Sequence, residues 1–443
     1  MVGLFGTDGV RGRANDLLTP ELAVALARAT ASMHIPPGGH VIIGRDTRVS
    51  GPMLEAALAS GFASSGVHVS LAGVIPTPAI SFLIKDERAD LGAVISASHN
   101  PPEDNGVKFF DRTGRKLSVE AENAIEDTMQ RSIARATTVG TVRPLDAAAT
   151  RYAAFLTGAI ESDPIDLTGT SLVVDCAHGA TSEIAPHVLR HLGATVIELN
   201  RSHDGMRINV GCGSTDLRAV QAAVRERGAE LGVAFDGDGD RVLLVDAAGR
   251  VIDGDQMMGI AAQHMAEDGT LVPRVVVATI MTNAGLGNWL DQRGIELVRT
   301  DVGDRHVART MDRLDARLGG EQSGHIIFRD HSPTGDGILT TVKLLEVAHA
   351  AGQSVGSLAV DIPLYPQTHR KIPCADPSAV SGPQVQAVVE AAREQLGRRG
   401  RVIVRPSGTQ PIVRVTVEAE DESACVQTAD ALARQIEPLL KQS

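Results

Sequence analysis

The sequence predicts an α/β protein of several domains that ends in a smaller α+β module. Three observations predict this. The chain has 443 residues, and a single core rarely grows past ~250–300. Over the first two-thirds, short Val/Ile/Leu runs alternate with helical patterns, which predicts mainly parallel sheets covered by helices on both faces. In the tail the pattern changes to one-in-two alternation.

The elements follow in order. A helix is expected over 20–31, because Thr19 can cap it and Pro20 gives up no needed N–H at the first position. Strands are expected at 41–43, 67–71 and 91–95, with a helix over 53–64. Further strands fall at 172–174, 195–199, 231–235, 242–245 and 275–280. In the tail, 384–396 reads as a helix and 401–404 as a strand. Along 412–418, Val413, Val415 and Val417 face one way, and Arg414, Thr416 and Glu418 the other. A last helix runs over 423–440. Polar, proline-bearing stretches near 143–149 and 363–373 read as joints. The expected division is three α/β domains at 1–150, 151–252 and 253–366, and an α+β domain at 367–443.

Composition narrows the function. With 43% hydrophobic and 22% charged residues, the chain is an ordinary globular one and not a disordered tail. No run of eighteen apolar residues predicts a membrane span, and no basic-then-apolar start predicts a signal peptide, so a cytoplasmic protein is expected. The four cysteines lie far apart without a C-x-x-C pair, which argues against a disulfide framework or structural zinc and for buried thiols. A net charge of −12 and 2% aromatics disfavour nucleic acid and base stacking. An anionic ligand would need a local basic cluster.

The sharpest motif is Phe235-Asp236-Gly237-Asp238-Gly239-Asp240-Arg241. Three carboxylates at every second residue follow an apolar strand, and the glycines let a tight loop aim them at one point. Such charges repel unless a hard cation joins them, and oxygen-only ligands suit Mg²⁺. A calcium loop fails on spacing, since Arg241 stands where glycine is needed and Ala247 where glutamate is. The alternatives are a solvated acidic turn and an aspartate-nucleophile phosphatase. Such phosphatases usually carry Thr or Val where this chain has Asp240.

Three further loops carry chemistry. Ser96-Ala97-Ser98-His99-Asn100-Pro101-Pro102 follows a strand, and its prolines hold an extended loop that could present a nucleophilic or phosphate-carrying serine. Ten residues on, Lys108 on a returning strand could orient a phosphate or shuttle a proton. Gly320-Glu321-Gln322-Ser323-Gly324-His325 places Glu321 and Ser323 on one side of an extended segment, suited to paired sugar hydroxyls, and His325 could transfer protons. Arg405-Pro406-Ser407-Gly408-Thr409-Gln410 joins two tail strands and reads as a phosphate cradle. Each loop alone also reads as an ordinary polar turn. Gly6-Thr7-Asp8-Gly9-Val10-Arg11-Gly12 and Gly44-Arg45-Asp46-Thr47-Arg48 could reach a phosphate or simply pair arginine with aspartate.

Taken together, the loops resemble the α-D-phosphohexomutase family along essentially the whole chain. The opening G-T-D-G-V-R-G, the G-E-Q-S-G-H loop and Asp301-Val302-Gly303-Asp304-Arg305-His306 are similar to its glucosamine-phosphate branch. The resemblance implies three phosphohexomutase-type α/β domains and a C-terminal TBP-like α+β domain around one central cleft. It implies that Ser98 is phosphorylated, and that Asp236, Asp238, Asp240 and a phosphoserine oxygen of Ser98 hold one Mg²⁺. Lys108 and His325 match the acid/base region, with Arg11 and Arg241 near the transferred phosphate. Glu321 and Ser323 match the sugar pair, Asp304 and Arg305 a further substrate stretch. Arg405, Ser407, Gly408 and Thr409 match the distal phosphate loop. Two positions depart: Gln410 stands where Glu is usual, and His306 where Tyr is commoner.

The reaction implied interconverts glucosamine 6-phosphate and glucosamine 1-phosphate through a hexosamine 1,6-bisphosphate, on the route to amino-sugar nucleotides and cell-wall precursors. A homodimer is suggested by the same resemblance; no nucleic-acid or membrane partner is expected. The rivals are a mutase for mannose or glucose phosphates, a non-catalytic sugar-phosphate sensor, and the aspartyl phosphatase.

Overall fold

In the computed structural model, residues 3–6, 8–133, 136–160, 165–407 and 411–441 are described. The chain forms two compact units. One holds residues 1–280 and 298–359, the other 281–297 and 360–443.

The first unit contains a six-stranded sheet built from β1 (Val10–Arg13), β2 (His40–Arg45), β3 (His68–Val74), β4 (Leu91–Ile95), β5 (Asp104–Asp111) and β6 (Val142–Pro144), in the order β1-β5-β4-β2-β3-β6. The helix Pro20–His34 starts as the sequence predicts, with Thr19 Oγ1 accepting from the Leu22 N–H at 3.3 Å. With the helix Gly51–Ser64 it buries Leu26, Leu54, Leu58 and Phe62 in one core with the sheet. Gly61 permits the close approach, since a Cβ there would lie 2.6 Å from Ala27 Cβ.

A second sheet comprises β7 (Ser171–Asp175), β8 (Thr195–Leu199), β9 (Leu231–Phe235), β10 (Val242–Asp246) and β11 (Val251–Ile252), ordered β11-β10-β9-β7-β8. A third orders β12 (Val275–Thr279), β13 (Glu296–Thr300), β14 (Leu318–Gly320) and β15 (Ile326–Phe328) as β13-β12-β14-β15.

The expectation of mainly parallel sheets needs correction, because all three are mixed. β2 pairs in parallel with β3 and β4, β7 with β8 and β9, and β12 with β14. Each sheet also has an antiparallel return: β4 to β5, β9 to β10, and β14 to β15. A short connection can join only antiparallel neighbours, and these three connections carry Ser98, the aspartate triplet and Glu321. Both expected joints contain a strand. Residues 142–144 are β6, paired in parallel with β3, and 367–373 lie in the other unit's first strand. Both are edge strands with exposed polar positions, and so compose like linkers.

The second unit is built on an antiparallel sheet of β16 (Gln367–Pro373), β17 (Gly400–Pro406) and β18 (Ile412–Ala419), in the order β16-β18-β17. Val413, Val415 and Val417 are fully buried with residues of the helices Pro383–Leu396 and Glu422–Leu440. The opposite face of β18 is less polar in its setting than alternation suggests. Glu418 is fully buried. Its carboxylate accepts from the Ala284 N–H (2.8 Å), Gln367 Nε2 (3.0 Å) and Arg401 Nη2 (2.8 Å), which satisfies the buried charge. All four cysteines are buried free thiols. Among the described residues, no helix is long and apolar enough to cross a membrane.

Candidate active site

β4 delivers the chain into the serine loop, and β5 returns it. The register places Val94 opposite Lys108 and Ile95 opposite Val107. Ser98 sits at the turn with φ +50°, a left-handed backbone that a non-glycine residue seldom adopts. Such a conformation costs of order 1–3 kcal/mol and persists only where its surroundings enforce it. Its hydroxyl donates to Asp236 Oδ2 at 2.6 Å.

Asp236, Asp238 and Asp240 lie on the turn from β9 to β10. Gly239 has φ +72°, and a Cβ on Gly237 would come 2.7 Å from the Ser98 carbonyl oxygen, so both glycines are required by the turn. One oxygen from each aspartate lies within 4.8 Å of the others, and all three residues are buried. Asp238 Oδ1 and Asp240 Oδ1 are buried without a hydrogen-bond partner. Bare, converging carboxylate oxygens are the donor set of a hard cation, so these residues fit Mg²⁺. Burial, then the charges of Asp240 and Asp238, push the Asp236 carboxyl well above its ordinary value. Burial would raise Asp240 too, but His325, Lys108 and Arg241 more than offset it and hold it below the ordinary range.

A wall of cations faces the triplet. Lys108 Nζ lies 3.1 Å from Asp238 Oδ2, 3.0 Å from Asp8 Oδ2 and 3.9 Å from Asp240 Oδ2. Burial would lower its ammonium, but Asp238 and Asp8 outweigh this and raise it. Arg241 donates from Nη1 to His99 Nδ1 at 3.2 Å, and its Nε lies 3.9 Å from Asp240 Oδ1. Arg11 pairs with Asp8 and donates to the Ala97 carbonyl at 3.3 Å. His325 is buried with Nδ1 3.7 Å from Asp240 Oδ2. Burial would lower the imidazole, but Asp240 first, then Asp304 and Glu321, raise it.

Three expected substrate residues are engaged within the protein. Asp304 pairs with Lys116. Arg305 makes a bidentate pair with Glu122, at 2.8 and 2.7 Å. Glu321 accepts the Gly303 N–H at 3.1 Å. The 321–324 segment is not extended as expected, for the Gly324 N–H returns to the Glu321 carbonyl at 3.0 Å and closes a turn. That turn is what a short β14–β15 hairpin demands. Ser323 is exposed on it.

In the second unit, Arg405 is the penultimate residue of β17 and the Ser407 N–H donates to the Ile412 carbonyl at 3.0 Å. Gly408, Thr409 and Gln410 lie outside the described residues, as does Thr7 of the opening motif. Arg414 stands opposite both Arg405 and Lys371. Cross-strand partners share a face, so three cations form one row. None has an acidic partner among the described residues. Sequence alternation placed Arg414 on a polar face, but only the pairing shows the row. Sequence reading also missed Lys116, whose ammonium pairs with both Asp8 and Asp304 and is raised by them against burial. In its own segment it resembles any surface lysine. Arg48 settles as an internal partner of Asp46, at 3.0 Å and fully buried.

Comparison with known proteins agrees with this arrangement. Models of the phosphoglucomutase/phosphomannomutase family match four segments: α/β/α domain I at 2–136, domain II at 150–249, domain III at 253–365 and the C-terminal domain at 371–435. A phosphoglucosamine mutase of Desulforudis audaxviator is 45% identical over 100% of this chain and 99% of its own. One from Rhodococcus jostii is 47% identical over 97% and 98%. Among solved structures, a phosphoglucomutase/phosphomannomutase family protein of Burkholderia thailandensis superposes with a TM-score of 0.82 at 25% identity, covering 98% of this chain and 97% of that one. The N-acetylphosphoglucosamine mutase of Aspergillus fumigatus, solved with GlcNAc-6P and magnesium, shares the fold at a TM-score of 0.69 and 16% identity, covering 99% and 96%. The chain therefore belongs to the phosphoglucosamine mutases of the phosphoglucomutase/phosphomannomutase family, and is a mutase enzyme.

Proposed function

We propose that this enzyme interconverts glucosamine 6-phosphate and glucosamine 1-phosphate, with Ser98 as the phosphoryl carrier. The carrying observation is Ser98 Oγ at 2.6 Å from Asp236, in a turn whose other aspartates leave buried oxygens bare. A phosphoryl group on that oxygen sits beside the triplet, where only a cation can offset the crowded negative charge.

In the first half-reaction the bond from phosphorus to Ser98 Oγ breaks and a bond to the sugar O1 forms. The O1 proton moves to Ser98 Oγ as the phosphorus–Oγ bond breaks, so no net proton is gained or lost, and the ammonium of Lys108 and the imidazole of His325 line its path. Glucosamine 1,6-bisphosphate results. In the second half, with the sugar reversed, its 6-phosphoryl group moves to Ser98. Asp236, Asp238, Asp240 and a phosphoserine oxygen would hold Mg²⁺, which when bound would supply charge neutralisation for the moving phosphoryl group. Arg11 and Arg241 add positive charge beside it. Glu321 and Ser323 hold the sugar with few contacts, so that either orientation is accepted. Arg405, Ser407, Gly408 and Thr409 bind the idle phosphate, with Arg414 and Lys371 adding charge.

The test is turnover by Ser98→Ala with Mg²⁺ and bisphosphate present, against glucosamine, glucose and mannose phosphates. The reading predicts loss of turnover in the variant and, in the wild type, the highest kcat/KM for glucosamine phosphate. Undiminished turnover by Ser98→Ala would overturn the carrier role.

A further inference from the structure

We infer that Asn209 and Arg48 are positioning residues that hold Ser98 in the left-handed backbone from which its hydroxyl faces the triplet. The inference rests on the reading of Ser98 as carrier and adds the parts that aim it.

Two donors from distant segments meet on one oxygen. Asn209 Nδ2 donates to the Ser98 carbonyl at 2.8 Å, and Arg48 Nη2 donates to it at 3.0 Å. The same two groups both reach the Asn100 carbonyl, at 3.1 and 2.8 Å. Arg48 Nη1 completes the clamp on the carbonyls of Pro101 and, at 2.8 Å, Asp104. Carbonyls two residues apart converge on a common donor because the chain turns back at Ser98, where φ is +50°. An extended residue there would direct the Ser98 carbonyl elsewhere, so the donors stabilise only the left-handed form.

The other side of the residue is equally fixed. Ser98 N–H donates to Ser96 Oγ at 2.9 Å, and that hydroxyl donates to Asp46 Oδ2 at 2.6 Å. Asp46 is the partner of Arg48 Nε, at 3.0 Å, with both side chains fully buried. The N–H and carbonyl of Ser98 are thus both committed, and its hydroxyl is left for Asp236. Asn209 lies on the loop after β8 and itself has φ +61°, with its N–H on the Ala177 carbonyl at 3.1 Å. It ties the serine loop to the sheet that carries the triplet. Gly237 passes beneath the shared carbonyl, where a Cβ would lie 2.7 Å from Ser98 O and 2.9 Å from Asn209 Nδ2.

Asn209→Gly tests this, since glycine tolerates the left-handed backbone while the two hydrogen bonds from Nδ2 are lost and those from Arg48 remain. Asn209→Asp is the second variant, replacing donors by an acceptor in the same shape. Ser98 phosphorylation would be followed by intact mass after mixing each protein with Mg²⁺ and glucosamine 1,6-bisphosphate, beside kcat, KM and melting temperature. Misaiming a reacting group by about 1 Å costs ~100-fold. The expected result for both variants is phosphorylation and kcat slowed ~10- to 100-fold, with KM little changed and a cooperative melt. Phosphorylation at the wild-type rate in Asn209→Gly, or loss only through a lowered melt, would overturn the inference. Wild-type turnover by Ser98→Ala would instead remove the carrier reading on which it rests.

Discussion

The backbone N–H of Gly335 donates to Nε2 of His325 at 3.1 Å, and the two residues touch so closely that a Cβ on Gly335 would lie 2.5 Å from the ring's Cε1 and Nε2. An accepting Nε2 leaves the proton of the neutral ring on Nδ1, the nitrogen facing Asp240. The backbone of Gly335 is not left-handed, and the three atoms nearest to an alanine Cβ there all belong to the ring. Gly335→Ala is expected to lower kcat ~10- to 100-fold by displacing the imidazole. In a His325→Ala background the same change should add almost no loss. Equal losses in both backgrounds would show that the ring is not what glycine accommodates.

The bare oxygens of Asp238 and Asp240 predict a stability that depends on the ion. At ~100 times its dissociation constant, Mg²⁺ should stabilise the protein by ~2.7 kcal/mol. Thermal melts with chelator and with Mg²⁺ measure the gap. Asp238→Asn removes one anionic ligand and should remove most of that shift. An unchanged shift in the variant would place the ion elsewhere.

The row of Lys371, Arg414 and Arg405 makes opposed predictions for stability and binding. Like charges directly opposite in a sheet repel by a few tenths of a kcal/mol to ~1 kcal/mol. Arg414→Ala should therefore leave stability unchanged or slightly raised. If the row receives the idle phosphate, KM for glucosamine 6-phosphate should rise ~10-fold, as expected for losing one charged contact of ~1.4 kcal/mol. An unchanged KM would remove Arg414 from the phosphate site.

Asp336 predicts a pH effect on folding. It is buried at the start of the helix Gly337–Ala351, where Oδ1 accepts the Leu339 N–H at 2.9 Å and Oδ2 accepts the Tyr152 hydroxyl at 2.6 Å. Burial, reinforced by the charge of Asp240 and opposed by these hydrogen bonds, pushes its carboxyl up to about 6. An unfolded aspartate titrates near ~3.9. Between these values the folded state holds a proton that the unfolded state has lost. The contribution of Asp336 therefore favours folding most at low pH and falls as pH rises from about 4 to about 6, by ~3 kcal/mol in all. Asp336→Asn keeps an acceptor for Leu339. Urea melts across this range should show that the wild type loses stability relative to the variant as pH rises. A constant difference would contradict the shift.

Much of this was legible in the residues, and the limits are physical. The aspartate triplet could be read because glycines between like charges have few other uses. The start at Thr19-Pro20 could be read because capping is local. Apart from the returning strand that carries Lys108, the antiparallel returns were missed because a buried strand has the same composition in either direction. Asp304 and Arg305 looked available for substrate, yet pair with Lys116 and Glu122, more than 180 residues away in sequence. The Arg48–Asn209 clamp was missed for the same reason: donors converging on a main-chain carbonyl leave no pattern in either segment. What local sequence carries is chemistry and turn geometry; which charge meets which is decided by tertiary pairing.

The central claim is that Ser98 carries the phosphoryl group, and peptide mapping with intact mass tests it most directly. Protein incubated with Mg²⁺ and glucosamine 1,6-bisphosphate should gain one phosphoryl group, located on the peptide holding Ser98 and absent from Ser98→Ala. A protein that turns substrate over while Ser98 stays unmodified, or that carries the group on another residue, would contradict the account.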